Sequence, residues 1–182
     1  MVTLHYLSAL PFWFVVLPDD DAASSVAGTL RDHTTQQLNH VSGRPWLLGR
    51  WGKDSMTTGQ AADTKIAVIG EHAVMADELI RAAGQIRVPS DLDQLARSLV
   101  GSSHLVASVA GRVRVQGTVT GTRRVFHATL DRASVATDRA DVLADLLDAA
   151  LDERRLALHG SSSWWSSARP WYTSGISSAG MM

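Results

Sequence analysis

The spacing of apolar residues predicts the first two elements of the chain. The apolar run Phe-Trp-Phe-Val-Val-Leu at residues 12–17 predicts a buried first strand. The stretch 18–38 carries Val26, Leu30 and Leu38 roughly on one helical face, with aspartates in its first turn. We therefore expect one helix there, since acidic residues favour a helix N-terminus.

The middle of the chain predicts two strands followed by two helices. Residues 46–51 and 65–69 are short runs of β-branched or aromatic residues, which predict strands with a polar loop between them. Residues 73–85 repeat apolar positions at helical spacing and end at a glycine and a glutamine, so they predict a helix. A second helix is expected over 90–99, with Ser90 as its N-cap.

From residue 104 to residue 136 the apolar period changes to two, which predicts an antiparallel meander of three or four strands. A final helix is expected over 141–158, where Leu146 and its apolar neighbours form a stripe towards the core. Helices and strands that do not alternate strictly favour the α+β class over a doubly wound sheet.

The composition changes at residue 160, so we divide the chain into a folded unit, 1–159, and a C-terminal segment, 160–182. Serine supplies eight of the last 23 residues, and half of the tryptophans lie there. This composition favours a disordered, slightly sticky tail. A connector into a second domain, or an end produced by truncation or an altered reading frame, remains open.

Charge and cysteine content exclude several classes of function. The 17 basic and 18 acidic residues give a net charge of -1, so no field exists to attract a nucleic acid. The chain has no Cys, which excludes disulfides, thiolate metal sites and a cysteine nucleophile. No two of its seven histidines have the i, i+4 spacing of a helical metal site, so we predict no metal ligands.

The apolar run near the N-terminus predicts a strand rather than a secretory signal or a membrane span. It has no basic residue before Arg31 and is followed by three aspartates. About a dozen apolar residues are also too few to cross a bilayer, which takes roughly 20. We expect a cytoplasmic protein with no membrane partner.

Three groups of segments, in order, resemble one known family. The first group consists of residues 14–19 and 42–47. The second consists of residues 69–71, the helix at 78–79, and residues 90–93. The third consists of residues 121–127 and 135–143. Together they resemble the N-terminal glutamine-amidotransferase-like domain of asparagine synthetases. The chain is most similar to the version carried by the asparagine-synthetase-like cyclases that close the isopeptide bond of lasso peptides.

The resemblance implies an Ntn-type fold, a sandwich of two antiparallel sheets between helical layers. Active members use an N-terminal Cys, its free α-amine, and an oxyanion hole made of an Asn side chain and a Gly amide. Here no Cys exists, about a dozen residues precede the first strand, and Ile69 stands at the Asn position. The resemblance leaves no catalytic residue, and it assigns Gly70, Glu71 and Asp91 as vestigial substrate-binding residues. Asp91 fits a helix N-terminus equally well.

The family's second domain uses ATP and Mg²⁺ at a Ser-Gly-Gly-x-Asp-Ser loop, and this sequence does not occur in the chain. We therefore expect no cofactor on this chain and no enzymatic activity of the chain alone, although the full-length relative is an ATP-dependent carbon–nitrogen ligase. The implied partners are the synthetase or cyclase domain and the precursor peptide. Two alternatives stay open: a free-standing peptide or protein interaction module that uses an edge strand or the tail, and a small hydrolase with a Ser or Thr nucleophile.

Overall fold

The computed structural model describes residues 4–118, 120–149 and 177–178, which contain four α-helices and ten strands. The helices are α1 (Ala23–Leu30), α2 (Ala76–Gln85), α3 (Leu92–Ser98) and α4 (Ala140–Leu146). The strands are β1 (Trp13–Val16), β2 (Gln36–Asn39), β3 (Pro45–Arg50), β4 (Met56–Ala61), β5 (Thr64–His72), β6 (Gly101–Val109), β7 (Arg112–Gln116), β8 (Phe126–Leu130), β9 (Ala133–Thr137) and β10 (Ser177–Ser178). Short 3₁₀ turns lie at Leu4–Ala9, Arg31–His33 and Pro89–Asp91.

The strands form two antiparallel sheets. The first sheet has the order β10-β8-β9-β1-β3-β2, and the second has the order β4-β5-β6-β7. Within the second sheet, β5 and β6 pair without a break over nine residues each, so this hairpin forms its centre. An alternation of inward and outward side chains is therefore preserved along both central strands.

The side chains of β1 point alternately to the two faces of the first sheet, one covered by helices and the other facing the second sheet. Trp13 and Val15 belong to a core cluster with residues of α1 and α4, whereas Phe14 and Val16 belong to a second cluster with residues of the other sheet. All four side chains are buried, which explains why this strand reads as a continuous apolar run rather than an alternating one.

The second sheet divides its side chains in the same way. Ile66 and Val68 on β5 pack with α2, whereas Ile69 faces the first sheet. At Gly59 on β4 the sheet approaches α2 so closely that a Cβ would lie 2.5 Å from a carbon of Leu79. The molecule is thus an α+β sandwich of two antiparallel sheets between helical layers, and the predicted fold class is confirmed.

Two strands within the predicted folded unit, 1–159, were not predicted. The helix expected over 18–38 ends at Leu30, because residues 36–39 form the edge strand β2 with alternating exposure. The polar loop expected after residue 51 contains β4, whose two threonines lie in register with Val68 and Ala67 of β5. Both strands lie at sheet edges, where few apolar residues are needed and the apolar pattern is correspondingly weak.

The prediction of a single meander over residues 104–136 is wrong, because its strands belong to two different sheets. The hairpin of β6 and β7 lies in the second sheet, whereas β8 and β9 pair with each other in the first. The connection between β7 and β8 therefore crosses from one sheet to the other. A period of two reports which face of a strand is buried, and it does not identify the sheet that the strand joins.

The predicted helices are shifted or shortened at their ends. Helix α2 begins at Ala76 rather than at residue 73, and α3 is preceded by a 3₁₀ turn in which Ser90 makes no capping bond. Helix α4 ends at Leu146, since Asp148 has a φ of 51°, so the helix predicted over 141–158 is too long. Residues 150–158 lie outside the described part.

The C-terminal segment 160–182 lies outside the described residues except for β10. Ser177 and Ser178 pair antiparallel with His127 and Phe126 of β8. The disordered tail and the connector predicted for this segment both stay predictions.

Candidate functional site

Ile69, which the resemblance assigns to the position of the oxyanion-hole Asn, is fully buried between the two sheets. It lies near the end of β5, in register with His104 on β6 and Met56 on β4. Its core cluster includes Phe14 and the partly buried Trp51. An aliphatic side chain in this setting offers no hydrogen-bond donor to a developing oxyanion.

Gly70, which follows and was predicted as a vestigial substrate-binding residue, donates its backbone N–H to the carbonyl oxygen of Ser55 at 2.7 Å. Its φ is 121°, and a Cβ would lie 2.6 Å from the carbonyl oxygen of Ser102. Glycine is therefore required here by the close approach of β5 and β6. The amide that would complete an oxyanion hole already has a partner within the fold.

Glu71 and Asp91, the other two predicted site residues, are both exposed. Glu71 lies in register with Ser102 on β6. Asp91 Oδ2 accepts hydrogen bonds from the backbone N–H groups of Arg87 at 2.9 Å and Val88 at 3.0 Å. These two bonds hold the pKa of Asp91 below its usual value. Asp91 thus stabilises the turn before α3, as the helix-terminus interpretation predicts, and its hydrogen bonds within the described residues do not involve Gly70 or Glu71.

The segment before β1 is hydrogen-bonded to the start of that strand and to the end of β3. The indole Nε1 of Trp13 donates to the carbonyl oxygen of Leu7 at 3.1 Å, and Leu7 is fully buried. Arg50 at the end of β3 donates to the carbonyl oxygen of Ser8 at 2.6 Å. A folded turn therefore precedes β1, where the resemblance would imply a nucleophile and a free amine.

A buried titratable group, His104, and a partly buried one, Asp138, lie beside Phe14 at this end of the sandwich. Asp138 Oδ1 accepts the backbone N–H of Phe14 at 2.9 Å, and burial raises the pKa of Asp138 to about 6. The ring of His104 meets the ring of Phe14 edge-on, with centroids 5.0 Å apart. Burial lowers the pKa of His104 to about 4, although its Nε2 bonds to the carbonyl oxygen of Arg124.

A second buried histidine lies at the opposite end of the layer between the sheets. His40 Nε2 is 3.0 Å from the carbonyl oxygen of Leu17, and its Nδ1 is 2.8 Å from Ser108 Oγ. Since a carbonyl can only accept, Nε2 carries the proton and Nδ1 accepts from the Ser108 hydroxyl. The pair has the chemistry of a nucleophile and its base, but both side chains are buried, so it joins the two sheets rather than meeting a substrate.

A pocket of about 200 Å³ lies on the other face of the second sheet, beneath α3. Ala96 of α3, Leu99 directly after that helix and Leu105 of β6 supply apolar walls, and Ser103 and Thr118 supply hydroxyl groups. The part of the chain that the structure describes contributes no charged side chain to its lining. Sequence reasoning missed this pocket, because its residues come from three separate elements and include no motif.

No group of three or more His, Cys, Asp or Glu side chains among the described residues is placed to hold a metal ion. Within the same ranges, no helix is both long and apolar enough to cross a membrane.

Comparison of the chain with models of known protein families and with curated proteins finds no match.

Proposed function

We propose that residues 12–158 form a non-catalytic amidotransferase-like domain of an asparagine-synthase-family enzyme, of the type that closes a lasso peptide with ATP. In this proposal the domain packs against the synthetase or cyclase domain, or presents the precursor peptide to it, in the cytoplasm. The architecture of two antiparallel sheets between helical layers is compatible with the Ntn-type fold that the resemblance implies.

The observation that carries the non-catalytic part is the state of the matched oxyanion position. Ile69 is buried among apolar side chains, and the Gly70 N–H is bonded to Ser55. Removing one oxyanion donor costs a factor of about 10²–10³ in rate. Here neither donor is available, and the chain has no Cys to act as the nucleophile.

The activity test measures ammonia release from glutamine and ATP–pyrophosphate exchange on the purified chain. We expect neither to exceed a heat-inactivated control. Ammonia release that Asp91→Asn abolishes would overturn the proposal, because Asp91 would then bind substrate rather than serve the turn before α3.

The partner test asks whether the chain binds a synthetase domain that contains the Ser-Gly-Gly-x-Asp-Ser loop. The DNA that follows the codon of Met182 is read first, because a continuation encoding that loop identifies the domain to express. We expect the two parts to co-purify. A synthetase domain that stays monomeric beside this chain contradicts the packing role.

A second candidate, a peptide-binding module, is favoured by the pairing of β10 with β8. The edge of the first sheet accepts an extended segment through Phe126 and His127, which is the geometry of strand addition. Titration with the precursor peptide, followed by amide chemical shifts, separates the two. Chemical-shift changes that the peptide alone produces and that are confined to β8 favour the peptide-binding module. Changes that appear only when the synthetase domain is added favour the first proposal.

A further inference from the structure

The pocket beneath α3 has the size of a small-molecule site. Its volume of about 200 Å³ exceeds the roughly 150 Å³ of an apolar cavity that holds benzene. Its apolar side is formed by Ala96 on α3, Leu99 directly after that helix and Leu105 on β6. A ligand that fits must therefore have an apolar body about the size of one ring.

The hydroxyl of Ser103 faces this pocket and has no hydrogen-bond partner among the described residues. Ser103 lies two residues before Leu105 on β6, so the alternation along the strand places both side chains on the face that the helices cover. Ser103 is only 7% exposed, and it lines the pocket. A partner for this hydroxyl therefore has to reach it through the pocket.

Gln116 adds a second donor on the neighbouring strand. It is in register with Leu105 and lines the pocket, so its side chain lies on the same face of the sheet as Ser103. Its Oε1 accepts a hydrogen bond from Arg114 at 2.8 Å. Since the amide oxygen is occupied, the N–H groups on Nε2 are the part of this side chain that is left to bind a ligand.

The charge beside the pocket is positive. Arg123 is tied to the pocket wall by two hydrogen bonds, from its backbone N–H to Thr118 Oγ1 at 2.9 Å and from its Nε to Ser102 Oγ at 3.2 Å. Ser102 is neutral, so its bond leaves the guanidinium charge uncompensated. In the described part of the chain, Arg114 is paired with Asp93 at 2.6 Å, whereas no carboxylate lies within ion-pair distance of Arg123. The field here favours an anion.

Two hydrogen-bond donors and an uncompensated positive charge favour the same chemical group, an anionic acceptor. A carboxylate has two oxygens that only accept, so it can bind both donors at once. We propose that this pocket binds a small monocarboxylate with an apolar body, whose oxygens accept from Ser103 Oγ and Gln116 Nε2 while Arg123 supplies the nearby countercharge. The proposal is independent of the amidotransferase-like function, because Leu105 and Ile69 belong to core clusters on opposite faces of the second sheet.

The probe is benzoate, and benzamide is the matched ligand of the same shape without the charge. Titrations of the full chain at about pH 7, where benzoate is ionised, are followed by amide chemical shifts. We expect saturable changes at Ser103, Gln116 and Gly117, with a dissociation constant on the order of 1 mM for a ligand of this size. Benzamide is expected to bind about fivefold more weakly, because a charged acceptor forms stronger hydrogen bonds than a neutral one.

One pair of variants tests the location of the ligand. Ala96→Leu fills the pocket from α3 and abolishes saturable benzoate binding, whereas Gln94→Leu, at an exposed position of the same helix, leaves it unchanged. Benzoate binding that survives Ala96→Leu places the ligand elsewhere and overturns the proposal.

Ser103→Ala tests the hydrogen bond and removes only one atom from the pocket wall. Loss of the hydroxyl should weaken benzoate binding about fivefold. Ser134→Ala, at an exposed position of β9 in the other sheet, is the control and should leave the affinity unchanged. Unchanged benzoate affinity in Ser103→Ala excludes this hydroxyl as the partner. Thermal midpoints check the folding of each variant, and Ser103→Ala decides the question if Ala96→Leu fails to fold.

Arg123→Gln tests the countercharge. At low ionic strength it should weaken benzoate about twofold to threefold, since the charge acts over several ångströms through partly solvated surroundings, and it should leave benzamide unchanged. Arg31→Gln, which removes the same charge from an exposed position in the turn after α1, should change neither affinity. Equal affinities for benzoate and benzamide in the wild type, or equal losses for both ligands in Arg123→Gln, contradict a carboxylate ligand.

Discussion

The two ends of the layer between the sheets contain similar buried histidines in opposite surroundings. At one end His40 has both ring nitrogens bonded, to Leu17 and Ser108. At the other end His104 bonds only through Nε2, and its buried Nδ1 has no hydrogen-bond partner among the described residues. The first end is a complete polar link between the sheets, whereas the second is apolar around an incompletely bonded ring.

The apolar surroundings of Ile69 and His104 explain why this end of the sandwich lacks the features of an active site, which the family resemblance would lead one to expect there. Catalytic groups need a polar, accessible cleft with donors aimed at the reacting atom. Instead, Ile69 and Phe14 fill this end with apolar side chains, and the nearby titratable groups, His104 and Asp138, are in their neutral forms near pH 5. Burial stabilises the neutral form of each group.

The largest expected effect is that of Ile69→Asn, which introduces the residue type that the resemblance implies for an oxyanion hole. The amide would be buried among Phe14, Trp46 and Ala67, so we expect a loss of about 4 kcal/mol in the free energy of unfolding. Glutaminase activity is not expected to appear, because the chain has no cysteine. Urea unfolding and an ammonia assay measure the two results.

Ile69→Val is the matched control, with an expected loss of about 1 kcal/mol from one methylene. If Asn at this position is as well tolerated as Val, the apolar end contains polar partners or space, and the contrast between the two ends disappears.

The second effect concerns Asp138→Asn and the pH dependence of stability. The folded pKa of His104 is about 4, below the ordinary 6.5, so its contribution to stability is lost as pH falls from about 6.5 to 4. The folded pKa of Asp138 is about 6, above 3.8, so its contribution grows as pH falls through the same range. Each change amounts to about 3 kcal/mol, and the two nearly cancel in the wild type.

Asp138→Asn keeps an oxygen to accept the Phe14 N–H but removes the titration. As pH falls from 6.5 to 4 the wild type gains about 3 kcal/mol from Asp138 and the variant does not, so the variant should lose about 3 kcal/mol relative to the wild type over this range. Other carboxylates with shifted pKa values, such as Asp19, are the same in both proteins and drop out of the difference. Parallel curves of stability against pH would show that Asp138 is ionised in the folded state at these pH values.

The apolar elements of the fold could be predicted from the sequence, and the edges could not. Strand β1 and helix α2 bury enough apolar side chains to impose a clear period, and both were expected near their observed bounds. Strands β2 and β4 lie at edges and carry exposed polar residues, so propensity and period gave no signal there. The partner of a strand is likewise invisible to local pattern, as the division of residues 104–136 between two sheets demonstrates.

The candidate sites differ in the same way. The local role of Asp91 at the start of α3 follows from its position in the sequence, since the bonds that it accepts come from residues three and four positions away. The link of His40 to Ser108 spans 68 residues, and no spacing rule predicts it.

The smallest effect tests the polar end through Ser108→Ala. Removing the hydroxyl leaves His40 Nδ1 buried without its donor, which should cost about 1–2 kcal/mol of the free energy of unfolding. Ser134→Ala, on an exposed residue of β9, is the control and should stay within about 0.5 kcal/mol of the wild type. In a His40→Phe background the Ser108 hydroxyl has no imidazole to donate to, so Ser108→Ala should lower the free energy of unfolding by less. The difference between its costs in the two backgrounds measures the coupling between His40 and Ser108. Equal losses in both backgrounds would mean that the hydroxyl acts through other contacts, and the polar link would then not distinguish this end of the sandwich from the end that contains Ile69.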